Sequence, residues 1–322
     1  MKKTVKVAAV VILIAGTVVM LAGFAMAGFD FGNLNTGGAL VERTFEAAGN
    51  VTKVFVAEQG ANVEIVPSAD GRARVTCAEN EAFCYDITEE DGVLRVEKRD
   101  LRGGTLGMYF GFWQEGTLTV EVPSGTLLDV ETDSGDIRMT GDAEGLTYSI
   151  ASLRSDNGDV YVENVRAGEG ESLETSDAMG DVQLGDITVE TDNGNIAVEG
   201  AQVRGLSAMT ANGAVTLRDV RAEVVFASAR NDAIRMEDVA MGALTASTEN
   251  DDILFSGVEA AESLSLQTDK GDIRGELPGQ MRDYHIESET DYDNSLPTLL
   301  DGEGIFLRAV TNNGDIDVTF AE

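Results

Sequence analysis

The chain has 322 residues, and its 23 Lys and Arg against 57 Asp and Glu leave a formal net charge of −34. A nucleic-acid-binding protein is excluded, because phosphate recognition needs a basic face. No constellation of residue types for catalysis stands out, so the composition indicates an acidic body without naming its ligand.

The first predicted element is the uncharged run over residues 7–29, VAAVVILIAGTVVMLAGFAMAGF. It is long enough to cross a bilayer as one transmembrane helix, because roughly 20 apolar residues suffice. Residues 1–29 are therefore either an uncleaved anchor or a signal segment that is cut after Ala27, at the small-x-small pattern AMA.

Both interpretations place the rest of the chain in the same compartment. Lys2, Lys3 and Lys6 precede the run, and the positive-inside rule keeps them in the cytoplasm. We expect a single-pass cell-membrane protein with an extracytoplasmic C-terminal domain, or a secreted protein after cleavage at Ala27. Residues 30–40 are predicted to be a linker.

Residues 41–122 contain strand-like runs without a regular repeat, such as VTKVFVA, ANVEIVP and TLTVEVP, which are separated by Gly, Asp or Asn. Such runs favour irregular β coils. We expect them to cap one end of the repetitive domain that follows, because a stack of coils must cover its open end.

The only two cysteines, Cys77 and Cys84, lie in VTCAENEAFCYDIT. This segment predicts a hairpin with facing thiols, because two β-type runs flank a polar connection. A disulfide is one outcome in an oxidising compartment, and two separately packed thiols are the other. A metal site is disfavoured, because the single histidine, His285, is far away in sequence.

Residues 103–116, GGTLGMYFGFWQEG, form an aromatic cluster that includes Tyr109, Phe110, Phe112 and the only tryptophan, Trp113. Clusters of this kind can anchor a protein partner or contact a membrane interface. The alternative is that alternate members pack beneath the N-terminal cap while the others cover a sheet face.

Residues 123–322 are predicted to be a repetitive domain. A phrase of Thr or Ser, a polar pair, Gly, Asp and an apolar residue recurs there, as in TDSGDI, SDNGDV, TDNGNI, TANGAV, TENDDI, TDKGDI and TNNGDI. The turn glycines, with Asp232 and Asp251 as substitutes, lie mostly 19 to 23 residues apart. Between the turns, apolar residues alternate with the period of a β-strand.

Two short strands and a tight turn cannot bury a core alone, so the repeats must stack in parallel about 4.8 Å apart. The predicted fold class is all-β: a parallel β-solenoid of about 19–23-residue two-strand coils, with an N-terminal β cap and a single N-terminal transmembrane helix. The turn residues are expected to need positive φ, which Gly, Asn and Asp tolerate. One continuous buried column is predicted, made of Leu206, Leu217, Val225, Met236, Leu244 and Phe255.

An aspartate follows the turn Gly or its substitute in most repeats, at Asp136, Asp159, Asp181, Asp252, Asp272 and Asp315. Stacking would bring these carboxylates together, and Ca²⁺ takes several oxygen ligands of this kind. The same position is Asn195, Ala214 and Ala233 in the middle repeats. Solvated turn chemistry is therefore the alternative to a calcium site, and no other cofactor is expected.

The Thr or Ser that opens each turn shares the parity of the buried strand residues. Its hydroxyl is predicted to hydrogen-bond backbone groups in the turn. A catalytic Ser or Thr would need a base nearby, and His285 has no evident partner, so we assign no catalytic residue. The final repeat, TNNGDIDVTFAE, is predicted to leave a strand edge open to a partner, with charge-protected termination as the alternative.

Several of these features together resemble a known family. The apolar run followed by GFDFGNLNTG, the strand DGVLRVEKR, the phrase TLTVEVPSGTLLDVETDSGDIRM and the serial NGDI turns resemble the DUF4097 adhesin family, also called Toastrack, of bacterial envelopes. The resemblance covers nearly the whole chain. It implies an extracytoplasmic all-β solenoid and, in related proteins, an association with envelope-stress sensing beside small membrane partners. It supplies no catalytic residues, and "adhesin" is an analogy from fold.

The sequence thus predicts a non-enzymatic, membrane-anchored extracytoplasmic β-solenoid that acts in interaction, adhesion or envelope-stress sensing. Its expected partners are the membrane, through residues 1–29, and an envelope protein or surface polymer. The alternative is a carbohydrate-binding or carbohydrate-active solenoid, such as a lyase or hydrolase. Paired carboxylates in a groove beside a basic residue would favour that alternative.

Overall fold

The computed structural model describes residues 16–19, 39–101, 116–142, 146–167 and 186–321. Residues 16–19 are helical, and within the described part no helix is long and apolar enough to cross a membrane. Most of the run over residues 7–29 lies outside the described residues, as do the cleavage position Ala27 and the aromatic cluster with Tyr109, Phe110, Phe112 and Trp113.

Among the other described residues, all regular structure is β-strand, apart from a 3-10 turn at Met281–Asp283. The strands before the repeats are β1 (Val41–Glu46), β2 (Lys53–Glu58), β3 (Asn62–Pro67), β4 (Arg74–Glu79), β5 (Phe83–Glu90), β6 (Val93–Asp100) and β7 (Thr117–Val122). The next are β8 (Thr126–Thr132), β9 (Ile137–Thr140), β10 (Leu146–Ser155), β11 (Val160–Glu163), β12 (Val165–Ala167), β13 (Asp186–Thr191), β14 (Ile196–Glu199) and β15 (Gly205–Thr210). The last are β16 (Val215–Ala229), β17 (Ile234–Thr248), β18 (Ile253–Ser256), β19 (Glu259–Thr268), β20 (Ile273–Pro278), β21 (Tyr284–Glu289), β22 (Leu299–Leu300), β23 (Ile305–Thr311) and β24 (Ile316–Ala321).

Two long parallel ladders run along the molecule, which confirms the all-β, solenoid-like architecture. The first ladder stacks the strands that precede each turn, in the spatial order β6, β2, β8, β10, β13, β15, β16, β17, β19, β23, β21. The second stacks the strands that follow the turn, in the order β7, β3, β9, β11, β14, β16, β17, β18, β20, β24.

The predicted core residues are all buried, but they form two columns rather than one. Leu206, Val225 and Leu244 stack in the first ladder, and Leu217, Met236 and Phe255 stack in the second. The two columns belong to one apolar core. The reason is that the strands before and after each turn stack in different ladders, so their inward residues line different sides of the core.

Two strands per repeat is also an incomplete description, because a third short segment pairs in parallel. Residues 220–222 of β16 pair with residues 239–241 of β17, and Ala240 and Met241 pair with Glu259 and Ala260 of β19. The corner that leads into this segment has positive φ, at Asn164, Gly200, Asp219, Asp238 and Gly257. The left-handed backbone therefore lies at this corner and not in the NGDI turns.

The turn glycines are needed for a different reason from the one predicted. A Cβ atom on Gly213 would lie 1.9 Å from the carbonyl oxygen of Gly194 in the preceding turn, and the equivalent glycines meet similar obstacles. The substitutes Asp232 and Asp251 are not among the described residues with positive φ. Close stacking of successive turns, rather than backbone handedness, thus explains why glycine recurs.

The final repeat is not the outermost one in space. β23 lies between β19 and β21, and β24 lies between β20 and a segment around Asn294. The amide of Ser295 donates to the carbonyl of Ile316 at 2.8 Å, and the amide of Val318 donates to Ser295 Oγ at 2.8 Å. The prediction of an open strand edge is therefore wrong for residues 316–318, because the chain places residues 284–300 outside its last repeat.

Candidate functional site

The five described aspartates of the predicted calcium row, Asp136, Asp159, Asp252, Asp272 and Asp315, are half-buried and stack in one column. Within this column, the carboxylate of one turn accepts a hydrogen bond from the backbone N–H of the next turn in the stack. Asp136 Oδ1 accepts from the amide of Asp159 at 2.9 Å, and Asp272 Oδ1 accepts from the amide of Asp315 at 2.7 Å. The row is a hydrogen-bond ladder between turns.

The ladder explains where glycine is replaced. Ala214 and Ala233 have no side-chain acceptor for the next turn. In the turns that follow them, Asp232 Oδ1 accepts from the amide of Ala233 at 2.8 Å and Asp251 Oδ1 accepts from the amide of Asp252 at 2.7 Å. Aspartate thus stands in the glycine position where the preceding turn supplies no acceptor.

These contacts give the carboxylates a structural role. Within the described residues, no group of three or more His, Cys, Asp or Glu side chains is arranged to hold a metal ion. Asp181, the sixth member of the predicted row, lies outside the described residues. The arrangement thus offers no observation in favour of calcium.

The predicted role of the turn hydroxyls is confirmed. Buried Ser155, Thr191, Thr210 and Thr311 donate to the carbonyl of the preceding turn glycine at 2.9 to 3.0 Å. A row of asparagine side chains lies beside them on the outside of the turns, and each amide after the first donates to the asparagine of the preceding turn. The row consists of Asn157, Asn193, Asn212, Asn231 and Asn250, and Lys270 Nζ donates to its last member. The turn column is therefore occupied by structural hydrogen bonds.

The two cysteines do not face each other in a hairpin. β4, which carries Cys77, pairs with β1 and β7, whereas β5, which carries Cys84, pairs with β6. Both are free thiols, and burial raises the pKa of Cys77 to about 11. The hairpin prediction fails because the run of Cys84 forms a hairpin with the strand that follows it, β6, while the run of Cys77 pairs with strands more distant in sequence.

His285 has contacts that the sequence did not reveal. Its Nδ1 lies 3.4 Å from Asp301 Oδ1, and its ring stacks on Phe306 at 5.6 Å between centroids. Phe306 is its direct cross-strand neighbour. These contacts fit a strand residue on the surface of the sheet, and they bring no nucleophile beside the imidazole.

A buried ion pair, which sequence reasoning missed, closes the first turn. Glu58 Oε1 lies 2.8 Å from Lys98 Nζ, both side chains are almost fully buried, and Tyr85 donates to Glu58 Oε2 at 2.6 Å. Glu58 also accepts the amides of residues 59–61. Burial alone would raise the pKa of Glu58, but the hydrogen bonds from Lys98 and Tyr85 outweigh it and hold that pKa below its ordinary value. Glu58 occupies the register position of Thr132, so it caps this turn as a hydroxyl caps the others.

The strongest candidate for a binding surface is an area of the first ladder that we call the uncharged face. It consists of the outward side chains on β15, β19 and the C-terminal halves of β16 and β17: Ser207, Met209, Val224, Phe226, Ser228, Ala243, Thr245, Ser247, Ser263, Ser265 and Gln267. None of these residues carries a charge, although the chain's net charge is −34. With strands about 4.8 Å apart, the face extends roughly 14 Å along the stack. Glu190 and Arg308 bound it at the two ends.

A hollow of about 500 Å³ lies where this face meets the turns. Its centre is made by Ser228 and Ser247, neighbouring residues whose Oγ atoms are 3.4 Å apart. Phe226 lies on one side, and on the other Arg230 Nε is 3.4 Å from Glu249 Oε1. Small side chains between larger ones thus create the depression. Its lining offers hydroxyls, an aromatic ring, the Arg230–Glu249 pair and the further carboxylates of Glu190, Asp192 and Asp269.

Sequence reasoning could have found this surface. The parity that identified Leu206, Val225 and Leu244 as inward residues makes Ser207, Phe226 and Thr245 outward residues. The signal is the absence of charged residues at the outward positions of four strands that stack in succession, which is unusual in so acidic a chain. That signal is a missing residue type and not a motif, so catalytic motifs do not reveal this surface.

The sequence and the fold can be compared with those of known proteins. The family model described as Toastrack DUF4097 matches residues 51–304. The chain belongs to the Toastrack DUF4097 family. No curated protein matches this Toastrack chain.

Solved structures resemble the Toastrack chain along most of its length. A "putative adhesin" from Parabacteroides merdae ATCC 43184 is 15% identical, with a TM-score of 0.52, over 88% of this chain and 97% of that one. Another "putative adhesin", from Bacteroides fragilis NCTC 9343, is 13% identical with a TM-score of 0.42, over 89% and 99%. A "putative lipid binding protein" from Parabacteroides distasonis ATCC 8503 is 12% identical with a TM-score of 0.44, over 89% and 98%. Of the three, only the Parabacteroides merdae structure has a TM-score above 0.5, and at 15% identity it supports the fold and not a function.

Proposed function

We propose that this Toastrack chain is a non-enzymatic, adhesion-type binding module, anchored in the membrane by residues 7–29 and displayed outside the cytoplasm. The observation that carries the proposal is the uncharged face. A broad uncharged surface on a rigid parallel sheet is suited to contact with another surface or polymer, whereas catalysis requires positioned acids, bases or nucleophiles. Adhesion and envelope-stress sensing both require such a contact.

The structural roles of the polar turn residues support the non-enzymatic part of the proposal. The acidic, hydroxyl and asparagine rows are engaged in hydrogen bonds between turns, and the buried Glu58–Lys98 pair caps a turn. The similar structure from Parabacteroides merdae is named a "putative adhesin", in agreement with this function.

Binding is tested with the full-length protein in detergent and isolated bacterial cell envelopes. We expect saturable binding that falls at least about tenfold when Thr245 and Ser265 are both changed to Glu, because two charges would then have to be desolvated at the contact. Thr216→Glu, an outward change on the second ladder, is the matched control and should bind like the wild type. Equal binding by all three proteins, or release of soluble products from the envelopes, would overturn the proposal.

Display outside the cytoplasm is tested with a membrane-impermeant maleimide on intact cells. Single cysteines are introduced as Asp317→Cys, at an exposed position, or Lys3→Cys, with Cys77 and Cys84 changed to Ala. We expect labelling of the Asp317→Cys chain in intact cells and of the Lys3→Cys chain only after permeabilisation. The opposite pattern would refute the orientation.

A further inference from the structure

We propose that the hollow on the uncharged face binds a hexose ring of a neutral glycan chain, with the sugar packed against Phe226. The inference rests on the adhesion-type function proposed above and names the class of polymer that this face contacts. It is drawn from the charge distribution, the aromatic ring and the polar groups of the hollow.

The charge distribution favours a ligand without charge. A chain with a net charge of −34 repels anionic polymers. A cationic polymer would find carboxylates at the hollow, as over most of this acidic surface, so charge would not direct it to this site in particular. An uncharged polymer is the ligand for which the features particular to this face, an open aromatic ring beside hydroxyls, give selectivity.

The aromatic ring supplies the apolar part of the contact. Phe226 is 37% exposed, and no other phenylalanine in the described part of the chain is as open to solvent. Its outward neighbour on the same strand, Val224, is 54% exposed. The carbon face of a sugar ring would cover Phe226 and remove apolar surface from water, which favours binding.

The polar groups of the hollow complement sugar hydroxyls. The hydroxyls of Ser228 and Ser247 both donate and accept, Gln267 offers an amide, and the Arg230–Glu249 pair offers donors on one side and acceptors on the other. The volume of about 500 Å³ lies within the range of small-ligand sites. A lipid chain would leave these polar groups without partners, so a glycan fits the lining better.

The test uses the full-length protein in detergent and neutral hexasaccharides of glucose, mannose and galactose, with hexamers of galacturonate and glucosamine as charged comparators. We expect binding to at least one neutral series and at least about tenfold weaker binding by Phe226→Ala, since a central aromatic contact carries much of such an interaction. Phe55→Ala is the matched control. Phe55 lies in the same outward row, connected through Asp129, Ser152, Thr188 and Ser207, and it is covered by Arg95.

A second readout reports binding at the hollow itself. Combining Phe226→Trp with Trp113→Phe leaves one tryptophan in the chain, at position 226. Its emission should shift to shorter wavelength as the neutral hexasaccharide saturates the site, because the sugar displaces water from the indole. Binding of the sugar without any change in this emission would exclude the hollow as the site.

The outcomes separate this inference from the proposed function. Binding of envelopes without binding of any neutral hexasaccharide, or preferential binding of a charged hexamer, overturns the glycan inference and leaves the adhesion-type function standing. Failure to bind either envelopes or sugars overturns both. Equal losses for Phe226→Ala and Phe55→Ala would also refute the site, because the effect would then not be specific to the hollow.

Discussion

At the scale of single residues, the glycine and aspartate positions of the turns are coupled through one backbone amide. The amide of Ala214 donates to Asn195 Oδ1, which belongs to the preceding turn. The amide of Ala233 donates instead to Asp232 Oδ1 within its own turn. The two solutions satisfy the same kind of donor by different routes. A substitution in one turn is therefore tolerated only when its neighbour in space supplies the missing acceptor.

This coupling predicts a measurable rescue. Asp232→Gly should lower the free energy of unfolding by about 1 to 2 kcal/mol, because the amide of buried Ala233 loses its acceptor. Ala214→Asn alone should have little effect. The two changes together should recover about 1 kcal/mol, since the introduced asparagine would occupy the position that Asn195 holds one turn earlier. Urea denaturation of the four proteins measures the coupling, and strictly additive effects would contradict it.

The buried pair of Glu58 and Lys98 predicts a stability that depends on pH. Lys98→Met should cost about 3 to 5 kcal/mol at neutral pH, because the buried Glu58 carboxylate loses its cation. The pKa of Glu58 is depressed in the folded protein, so its contribution is present above the unfolded pKa and is lost as the pH falls through the folded pKa.

In the Lys98→Met variant, Glu58 loses the hydrogen bond and the charge of Lys98 while its burial remains, so its pKa rises and the carboxyl protonates more readily. The stability difference between the wild type and the variant should therefore shrink as the pH is lowered from 7 toward 4. Thermal unfolding across this range measures it. Between a Glu58→Gln variant and a Glu58→Gln, Lys98→Met double variant, neither of which has the carboxyl, the stability difference should not vary with pH over this range. A difference between wild type and Lys98→Met that grows on acidification would refute the assignment.

At the scale of the elements, the turns and the corners use glycine for separate reasons. Gly213 is needed because a Cβ would meet the carbonyl of Gly194, while Gly200 and Gly257 share a corner of positive φ with Asn164, Asp219 and Asp238. The turn position carries Asp in two repeats, at Asp232 and Asp251, so the crowding belongs to the turns that carry glycine, whereas the positive φ of the corner is tolerated by Asn and Asp.

A pair of alanine substitutions distinguishes crowding from backbone handedness. Gly213→Ala should cost more than about 2 kcal/mol, because the stacked turns must move apart. Gly71→Ala, at a φ of +77° with no atom within 4 Å of the added Cβ, should cost only about 1 kcal/mol of backbone strain. Denaturant midpoints compare the two, and an equal cost would mean that stacking distance is not the constraint at Gly213.

At the scale of the whole molecule, spatial order differs from chain order at both ends. The strands β2 and β3 lie between later strands, with β6 and β8 flanking the former and β7 and β9 flanking the latter. At the other end, β24 lies between β20 and residues 293–295. The terminal repeats are thus enclosed by segments that lie elsewhere in sequence, which protects the strand edges that would otherwise pair with other chains.

Hydrogen exchange tests this enclosure. The amides of Ile316 and Val318 should exchange slowly, because they donate to Asp293 and Ser295. Several amides of β1 should exchange much faster, since β1 pairs only with β4 within the described residues and is mostly exposed. Ser295→Ala is the control and should accelerate exchange at Val318 in particular. Exchange in β24 as fast as in β1 would show that the edge is open.

The sequence by itself determined the stacked β architecture, the inward residues and the hydroxyl positions of the turns. Each of these follows from local chemistry, because a period of two, a tight polar turn and a repeat too small to bury its own core permit few arrangements. Leu206, Leu217 and Thr210 could be placed from their own repeats alone.

Only the tertiary structure decided which segments become neighbours. The enclosure of β24 by residues 293–295, the pairing of β4 with β1 and β7, and the Glu58–Lys98 contact join residues distant in sequence, so no local period contains them. The use of the turn glycines was likewise decided by the distance between stacked turns, since local preference alone suggested positive φ. The hollow beside Phe226 also depends on this stacking, because its lining comes from side chains of five successive strands brought side by side.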